Sequence, residues 1–366
     1  MAGHGREALA PPAGQVPTQE LGAAVRSRPA GHRTLLVALA ALRVGPAAIL
    51  VLLMVVLGLL SDVFLSLENI GNVLNQSAVI CILALGQLLV VVTRGIDLSV
   101  GSTLSLSAVI GATVWRDHRS AALAVLAALV TGLLVGLVNG LLYVKGRLPH
   151  PFIPTLAMLT AASGLALYLS HSETVQGAPP VVDEIGAGRI AAIPGGGDVG
   201  WFPTATLAVI AVALVLTLVT RGMVWGRWIY AVGGSPEAAV RNGIPVPSVL
   251  ISVYVLCGFL ASVAALLTMG RADAGSPTSG ALAELDAIAA VIIGGASFLG
   301  GRGSVVNALT GALVIAVMRN GLNLLGIDPN WQYMATGAVI VAAVELDVVR
   351  GHLESRFRSL QAVSTR

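Results

Sequence analysis

Apolar residues fill most of this chain in runs of about twenty, separated by short polar or charged breaks, with neither strict alternation nor a one-sided stripe. Such runs predict transmembrane helices near residues 44–60, 74–92, 98–114, 121–142, 153–170, 203–220, 248–269, 285–299, 304–322 and 331–346. The expected fold is an all-α integral membrane protein of about ten spans. The stretch 285–299 is the weakest, short and glycine-rich, and reads as a discontinuous or re-entrant helix, so the count runs from nine to eleven.

Composition agrees. Hydrophobic residues make up 56% of the 366 positions and charged residues 11%, against about a quarter charged in a soluble domain. The 43 glycines suit helices that approach closely in lipid. Residues 1–43 are expected to be a disordered cytoplasmic tail, without the apolar segment of a cleaved signal peptide. Residues 44–347 form the transmembrane domain and 348–366 a cytoplasmic C-terminal tail. The longest outside segment, 171–202, holds Pro179, Pro180, Pro194 and Gly195-Gly196-Gly197, and reads as an irregular loop.

Basic residues fix the orientation. With both termini inside, the inside loops hold 16 of the 21 lysines and arginines, while Arg116, Arg119, Arg189, Arg271 and Arg319 lie outside or at outer helix ends. The chain is therefore expected in the cytoplasmic membrane, multi-pass, with both termini cytoplasmic.

Several chemistries drop out. A net charge of +3 with a single lysine and no basic stripe gives no nucleic-acid footprint. Cys81 and Cys257 stand alone in apolar runs and read as buried structural thiols. The six histidines show no metal spacing, and no G-x-x-x-x-G-K-[ST] loop occurs, so any ATP must be bound by another chain. Nor is there a nucleophile–base pair or carboxylate dyad, and the chain is not expected to be an enzyme.

The inside segment 222–247 differs from the other inside loops. Ser235 followed by Pro236 matches an N-cap with proline in the first helical position, Glu237 suits the positive end, and Gly243 suits the C-terminal stop. The expected result is a helix of about two turns with a small face, Ala238 and Ala239, shaped to sit in a groove of a partner protein. The alternative, a helix on lipid headgroups, would want bulky apolar residues.

The run Ala231–Ile244 resembles the cytoplasmic coupling segment of permeases in bacterial ABC importers of the ribose/xylose/arabinose type, relatives of the branched-chain amino acid permeases. Three other stretches are similar to the same family: Thr93-Arg-Gly-Ile-Asp-Leu-Ser-Val-Gly-Ser102, Glu284–Gly295 with Gly300–Ser304, and Asn320–Gly326. The resemblance covers about residues 45–347. It implies a homodimer or pseudo-dimer of permease chains, an ATPase docked inside that carries the ATP and Mg, and an extracytoplasmic solute-binding protein. Under it, Gly234, Ser235, Pro236, Glu237, Ala238, Ala239 and Gly243 form the ATPase-coupling helix, and this chain binds no cofactor. The cargo would be a sugar or related polyol; branched-chain amino acids or nucleosides are the alternatives within the family. Arg319 departs from the small or amide residue usual before Asn320, and is read as snorkelling to the interface, with an acid such as Glu284 or an anionic solute as other partners.

Charges and amides on the spans are the remaining candidates. Asp97 reads first as a cap that accepts the N–H of Ser99 or Val100, and second as a ligand contact. Asp286, with Glu284 before it, reads likewise, although half-helix ends at membrane depth also form transport sites. Asn75, Gln76, Gln87, Asn139, Asn307, Asn320 and Asn323 suit a hydroxylated, uncharged solute, yet most such amides bond between helices, and only two or three are expected to face a pathway. Pro46, Pro149, Pro151 and Pro154 are placed near span starts. Gly294–Gly303 is expected to leave helical geometry, as a hinge or as close packing between copies. An ion-coupled secondary transporter, with Asp97, Glu284 or Asp286 titrating, is the rival reading.

Overall fold

The computed structural model describes residues 30–192 and 200–328, and between 330 and 345 all but positions 333, 340, 343 and 344. The expected C-terminal tail and residues 1–29 of the N-terminal one lie outside the described residues.

The first helix, α1, spans Ala30–Leu60. This corrects the expected boundary of 43, because the leucine- and alanine-rich run after Thr34 propagates the helix backwards. Pro46 consequently lies inside a helix and not near its start.

Next come α2 (Leu67–Val92), α3 (Val100–His118), α4 (Ala121–Val144) and α5 (Phe152–Leu169). Helix α2 starts seven residues before the apolar run suggested, since Ser66 caps it by accepting the N–H of Asn69 and the polar first turns lie within protein. At α5, Pro151 is the N-cap and Pro154 falls in the first turn, where a missing N–H is harmless.

The segment 171–202 is more regular than expected. It contains the short strand β1 (Val175–Gln176), helix α6 (Pro180–Ala187) and strand β2 (Arg189–Ala192), which pairs antiparallel with β3 (Gly200–Pro203). Pro179 and Pro180, two of the prolines that suggested irregularity, start the helix as N-cap and first helical residue, while Pro194 and Gly195-Gly196-Gly197 lie outside the described residues.

Then follow α7 (Thr204–Gly222), α8 (Val224–Gly234), α9 (Pro236–Arg241), α10 (Val246–Ala272), strand β4 (Ala274–Gly275), which pairs with β1, α11 (Ala283–Ile293) and α12 (Val305–Leu324). The small strand pairs qualify the all-α expectation.

Among the described residues six helices are long and apolar enough to cross a membrane: α2, α4, α5, α7, α10 and α12. Of the other expected spans, 331–346 falls partly outside the described residues, Gly45–Leu60 is a shorter apolar helix, and two differ for physical reasons. Helix α11 has eleven residues, about 16 Å of helix against an apolar thickness of about 30 Å. Helix α3 is rich in serine, threonine and glycine, which it can carry because its first three turns are buried in protein.

Burial grades outward from α2 and α10. The apolar window of α2 is 78% buried, against 28% in α4 and α7 and 22% in α5, so apolar surface of these three helices is left for lipid. Helix α10 packs on α2, α3, α4 and α6. Its seam with α4 is made of small residues: Gly132 lies on the backbone of Gly258, Gly136 on that of Tyr254, and Gly140 on that of Ile251. Any side chain at Gly132 or Gly136 would collide with opposing backbone, so glycine every fourth residue sets the helix separation.

Candidate functional site

The C-terminus of α2 builds the first part of the site. The N–H of Gly95 bonds Val90 O at 2.9 Å and that of Arg94 bonds Val91 O at 2.9 Å, the pattern of a Schellman stop. Such a stop needs a left-handed residue, a position usually given to glycine, and here Arg94 fills it at φ 66°. That placement aims the side chain at the end of α8. Arg94 donates from Nε to Gly233 O and from Nη2 to Gly234 O, both at 2.6 Å. A guanidinium at the negative end of a helix is favoured by the helix dipole as well as by the two bonds.

The glycine-rich segment after α11 closes on the same point. Gly301 donates its N–H to Val92 O at 2.8 Å, Tyr230 of α8 donates its hydroxyl to Gly303 O at 3.0 Å, and Gly300, at φ 78°, lies against the Arg94 stem and Gly233 O. Gly294–Gly303 thus leaves helix as expected, with Gly300, Gly301 and Gly303 packed against this chain's own α2 and α8.

From this clasped point α9 projects. Ser235 caps it, accepting the Ala238 N–H at 3.2 Å, with Pro236 in the first turn and Gly243 at φ 75° beyond its end. Two expectations are corrected. The segment 222–247 holds two helices, and Gly234 ends the first one, because Ser235 interrupts the backbone with an extended conformation. Ala238 and Ala239 do not share a face: Ala239 is buried against the body of the protein, while Glu237, Ala238, Val240 and Arg241 are exposed. Glu237 bonds its own backbone N–H and accepts from Ser235 Oγ at 3.2 Å, and these bonds hold its carboxyl below the usual glutamate range.

Between α2 and α3 the chain is fixed by Asp97. Its Oδ1 accepts the Ser99 N–H at 2.8 Å and the Ser99 hydroxyl at 2.7 Å, and Asn139 of α4 donates to the same hydroxyl oxygen at 2.8 Å. Gln87, fully buried, faces both backbone groups of Asp97, and its amide satisfies them when turned to donate to the carbonyl and accept from the N–H, at 3.2 Å each. Cys81 and Cys257 are free and buried nearby in the core.

The opposite end of the bundle holds a cavity of about 660 Å³, bounded by the start of α2, the α6–β2 junction, the end of α10, the start of α11 and the end of α12. Asn75, Gln76 and Asp286 line it, and so do Asn72, Arg189, Arg271 and Arg319. Arg319 donates to Asp286 Oδ1 at 2.6 Å, with its side chain 25% exposed, so it turns inward to an acid one helix away and does not snorkel. The partner is Asp286 and not Glu284. Asp286 is correspondingly no helix cap: the N-cap of α11 is Leu282, in the left-handed region, without a side-chain cap bond. Glu284 is buried against Gly101 and Gly280, where α3 meets the approach to α11.

Other amides bond between elements. Asn320 and Asn69 form a reciprocal pair at 2.9 and 3.0 Å and both are buried. Asn323 accepts from Gln332 at 2.6 Å, and Asn307 is exposed. The expectation that two or three amides face a cavity thus falls on Asn75, Gln76 and the overlooked Asn72. The signal for Asn72 was present: with Asn75 and Gln76 it makes an i, i+3, i+4 face, cut off because the apolar run starts at residue 74. Arg189 and Arg271 stood out in the sequence only as basic residues at outer positions, since it takes the strand pairs and the end of α10 to bring them to one cavity.

A clasp at one end of a helical bundle, a polar cavity at the other and six membrane-length helices define a multi-pass membrane protein of the transport permease class. The chain belongs to the family described as branched-chain amino acid transport system / permease component, whose model matches residues 69–344. It is 38% identical over 302 residues to the ribose import permease protein RbsC of Escherichia coli (strain K12), covering 81% of this chain and 91% of that one. It is 37% identical to the fructose import permease protein FrcC of Rhizobium meliloti, over 82% and 84% of the two chains, and 35% identical to the galactose/methyl galactoside import permease protein MglC of Escherichia coli (strain K12), over 84% and 94%. Within the family it thus stands with sugar permeases of ABC import systems. No solved structure matches the chain.

Proposed function

We propose that this chain is the permease subunit of an ATP-driven importer that moves a sugar or related polyol across the cytoplasmic membrane, coupled through α9 to a separate ATPase that binds the ATP and Mg. A second copy of the chain completes the pathway, and an extracytoplasmic solute-binding protein delivers the cargo to the cavity end. Both termini and α9 then lie on the cytoplasmic side, as the distribution of basic residues indicates.

The observation that carries the reading is the clasp of Arg94 on Gly233 and Gly234. It ties the helix in front of α9 to α2, whose other end lines the cavity, so a push on α9 is delivered to a helix reaching the solute end. Of the three acids the rival ion-coupled reading would titrate, Asp286 is engaged by Arg319 and Asp97 by Ser99, which leaves Glu284, buried beside Gly101, as its remaining candidate.

The test is affinity purification of the tagged chain in mild detergent with mass identification of what accompanies it. An ATPase with a phosphate loop is the expected companion, lost in Ala238→Trp, which adds bulk to the exposed face of α9 at a non-glycine position. Purification of the chain alone, together with vesicle uptake that needs no ATP, would overturn the proposal.

A further inference from the structure

The charge around the cavity is unbalanced. Arg319 is compensated by Asp286. Arg189 meets only a neutral group, donating from Nη2 to Asn72 Oδ1 at 2.7 Å. Arg271, in the last turn of α10, has no acidic partner among the described residues. One carboxylate thus faces three guanidiniums in a cavity whose other lining is apolar or neutral, which leaves an excess of two positive charges. Glu284 is not among the residues lining the cavity, and its carboxylate lies against Gly101.

The hydroxyls of a neutral sugar can accept hydrogen bonds from the two guanidiniums but leave both charges unbalanced. Arg189 is half-buried and Arg271 exposed at the cavity mouth, where an anion balances their charge, and a guanidinium fork fits a carboxylate in plane with two parallel bonds. Beside them, Gln76 makes no side-chain hydrogen bond among the described residues, Asn75 spends one amide hydrogen on Gly186 O at 3.1 Å, and Ser279 completes the lining, so donors and acceptors for hydroxyl groups stand next to the charge. We infer that the cavity takes a hydroxylated solute carrying one carboxylate, an acid of a sugar, with Arg189 and Arg271 on the carboxylate and Asn75, Gln76 and Ser279 on the hydroxyls. The inference deepens the permease reading by naming the class of cargo, and departs from the neutral sugars after which the relatives are named.

The test compares D-galacturonate with D-galactose, a pair that differs in a carboxylate for a hydroxymethyl group, and uses acetate as a carboxylate without hydroxyls. The thermal midpoint of the purified full chain in detergent is followed against concentration of each, at equal ionic strength, to give apparent affinities. D-Galacturonate is expected to bind about tenfold tighter than D-galactose and than acetate. Arg271→Gln, which breaks no internal bond, is expected to remove the preference without lowering the midpoint of the free chain; Arg189→Gln should also remove it, with a lower midpoint because its bond to Asn72 is lost. Equal affinity for D-galactose overturns the inference. So does equal affinity for acetate, the behaviour of a surface that docks acidic side chains of a protein, and so does an undiminished preference in Arg271→Gln. Each of these, with an ATPase still co-purifying, leaves the permease reading standing, while loss of the companion ATPase strikes that reading and not the solute class.

Discussion

Arg94 reaches across from the end of α2 to hold the backbone of Gly233 at 2.6 Å, and does so from a left-handed conformation that glycine would occupy more easily. Local backbone preference and the clasp therefore oppose one another, and a substitution separates them. Arg94→Gly relieves about 1 kcal/mol of backbone strain and removes both bonds to α8. The expected outcome is a chain that inserts and unfolds at or near the normal temperature, yet loses uptake about tenfold or more. Arg94→Lys, with a point charge in place of the planar fork, should fall between. Uptake and thermal midpoint measured on the same preparations check this; a parallel fall of both would mark a merely structural bond.

The neighbouring glycines should part company. Gly233 is buried against Val92 O and the backbone of Gly301, so a methyl group there displaces main chain, whereas nothing lies within 4 Å of the place a Gly234 side chain would take. Gly233→Ala is expected to lower the thermal midpoint and the yield of inserted chain, and Gly234→Ala to leave both unchanged. Any loss of uptake in Gly234→Ala then reports on what meets α9 from outside.

Helix α9 should also be insensitive to mild acid. The bonds to Glu237 depress its folded pKa, so their contribution is present above the ordinary glutamate range and lost only as pH falls through the lower folded value. Between about pH 7 and about pH 5 the carboxylate stays charged. Co-purification of the ATPase is expected to be unchanged across that window, and Glu237→Gln to behave at pH 7 as the wild type does only in stronger acid.

How far the sequence could be read follows from where its signals are local. The N-cap at Ser235, proline behind it and the stop at Gly243 are all read within nine residues, and α9 forms as they dictate. Asp97 is similarly local, since an aspartate two residues before a serine can close its own turn. What failed depended on partners distant in sequence. Arg319 was read from its own span as a snorkelling residue, but its acid lies on α11, 33 positions away. Ala238 and Ala239 looked equivalent until α9 was laid on the body of the protein, which buries one and exposes the other. Hydropathy also misplaced the start of α2, because Asn69 and Asn72 are polar toward protein and the apolar run marks only what meets lipid or core.

The pair Asn69 and Asn320 shows what an interhelical amide contributes. Each donates to the other, and Asn69 also donates to Phe64 O at 2.9 Å, so removal of either leaves buried polar atoms without partners. Asn320→Leu should destabilise the chain by about 1–2 kcal/mol, with Asn69→Leu somewhat worse. The double variant is expected to cost less than the sum, because the two orphaned amides vanish together. Thermal or denaturant unfolding in detergent of the four members of this cycle measures the coupling.

Asp97 offers the last test, since its geometry separates a cap from a charge. Two of its bonds fall on Oδ1, one from the Ser99 N–H and one from the Ser99 hydroxyl, and an asparagine presents the same carbonyl oxygen to both, while Cys257 and Asn139 stand beside the rest of the carboxyl. Asp97→Asn is thus expected to keep most uptake and stability, whereas Asp97→Ala removes the acceptor, frees the Ser99 N–H in a buried turn, and should cost about 1–3 kcal/mol. Gln87 would still grip the backbone of residue 97 in both variants, so the loop itself stays placed and the difference between them isolates the side chain. Complete loss of uptake in a stable Asp97→Asn chain would mean that the negative charge itself is used, and would bring the ion-coupled reading back to the front.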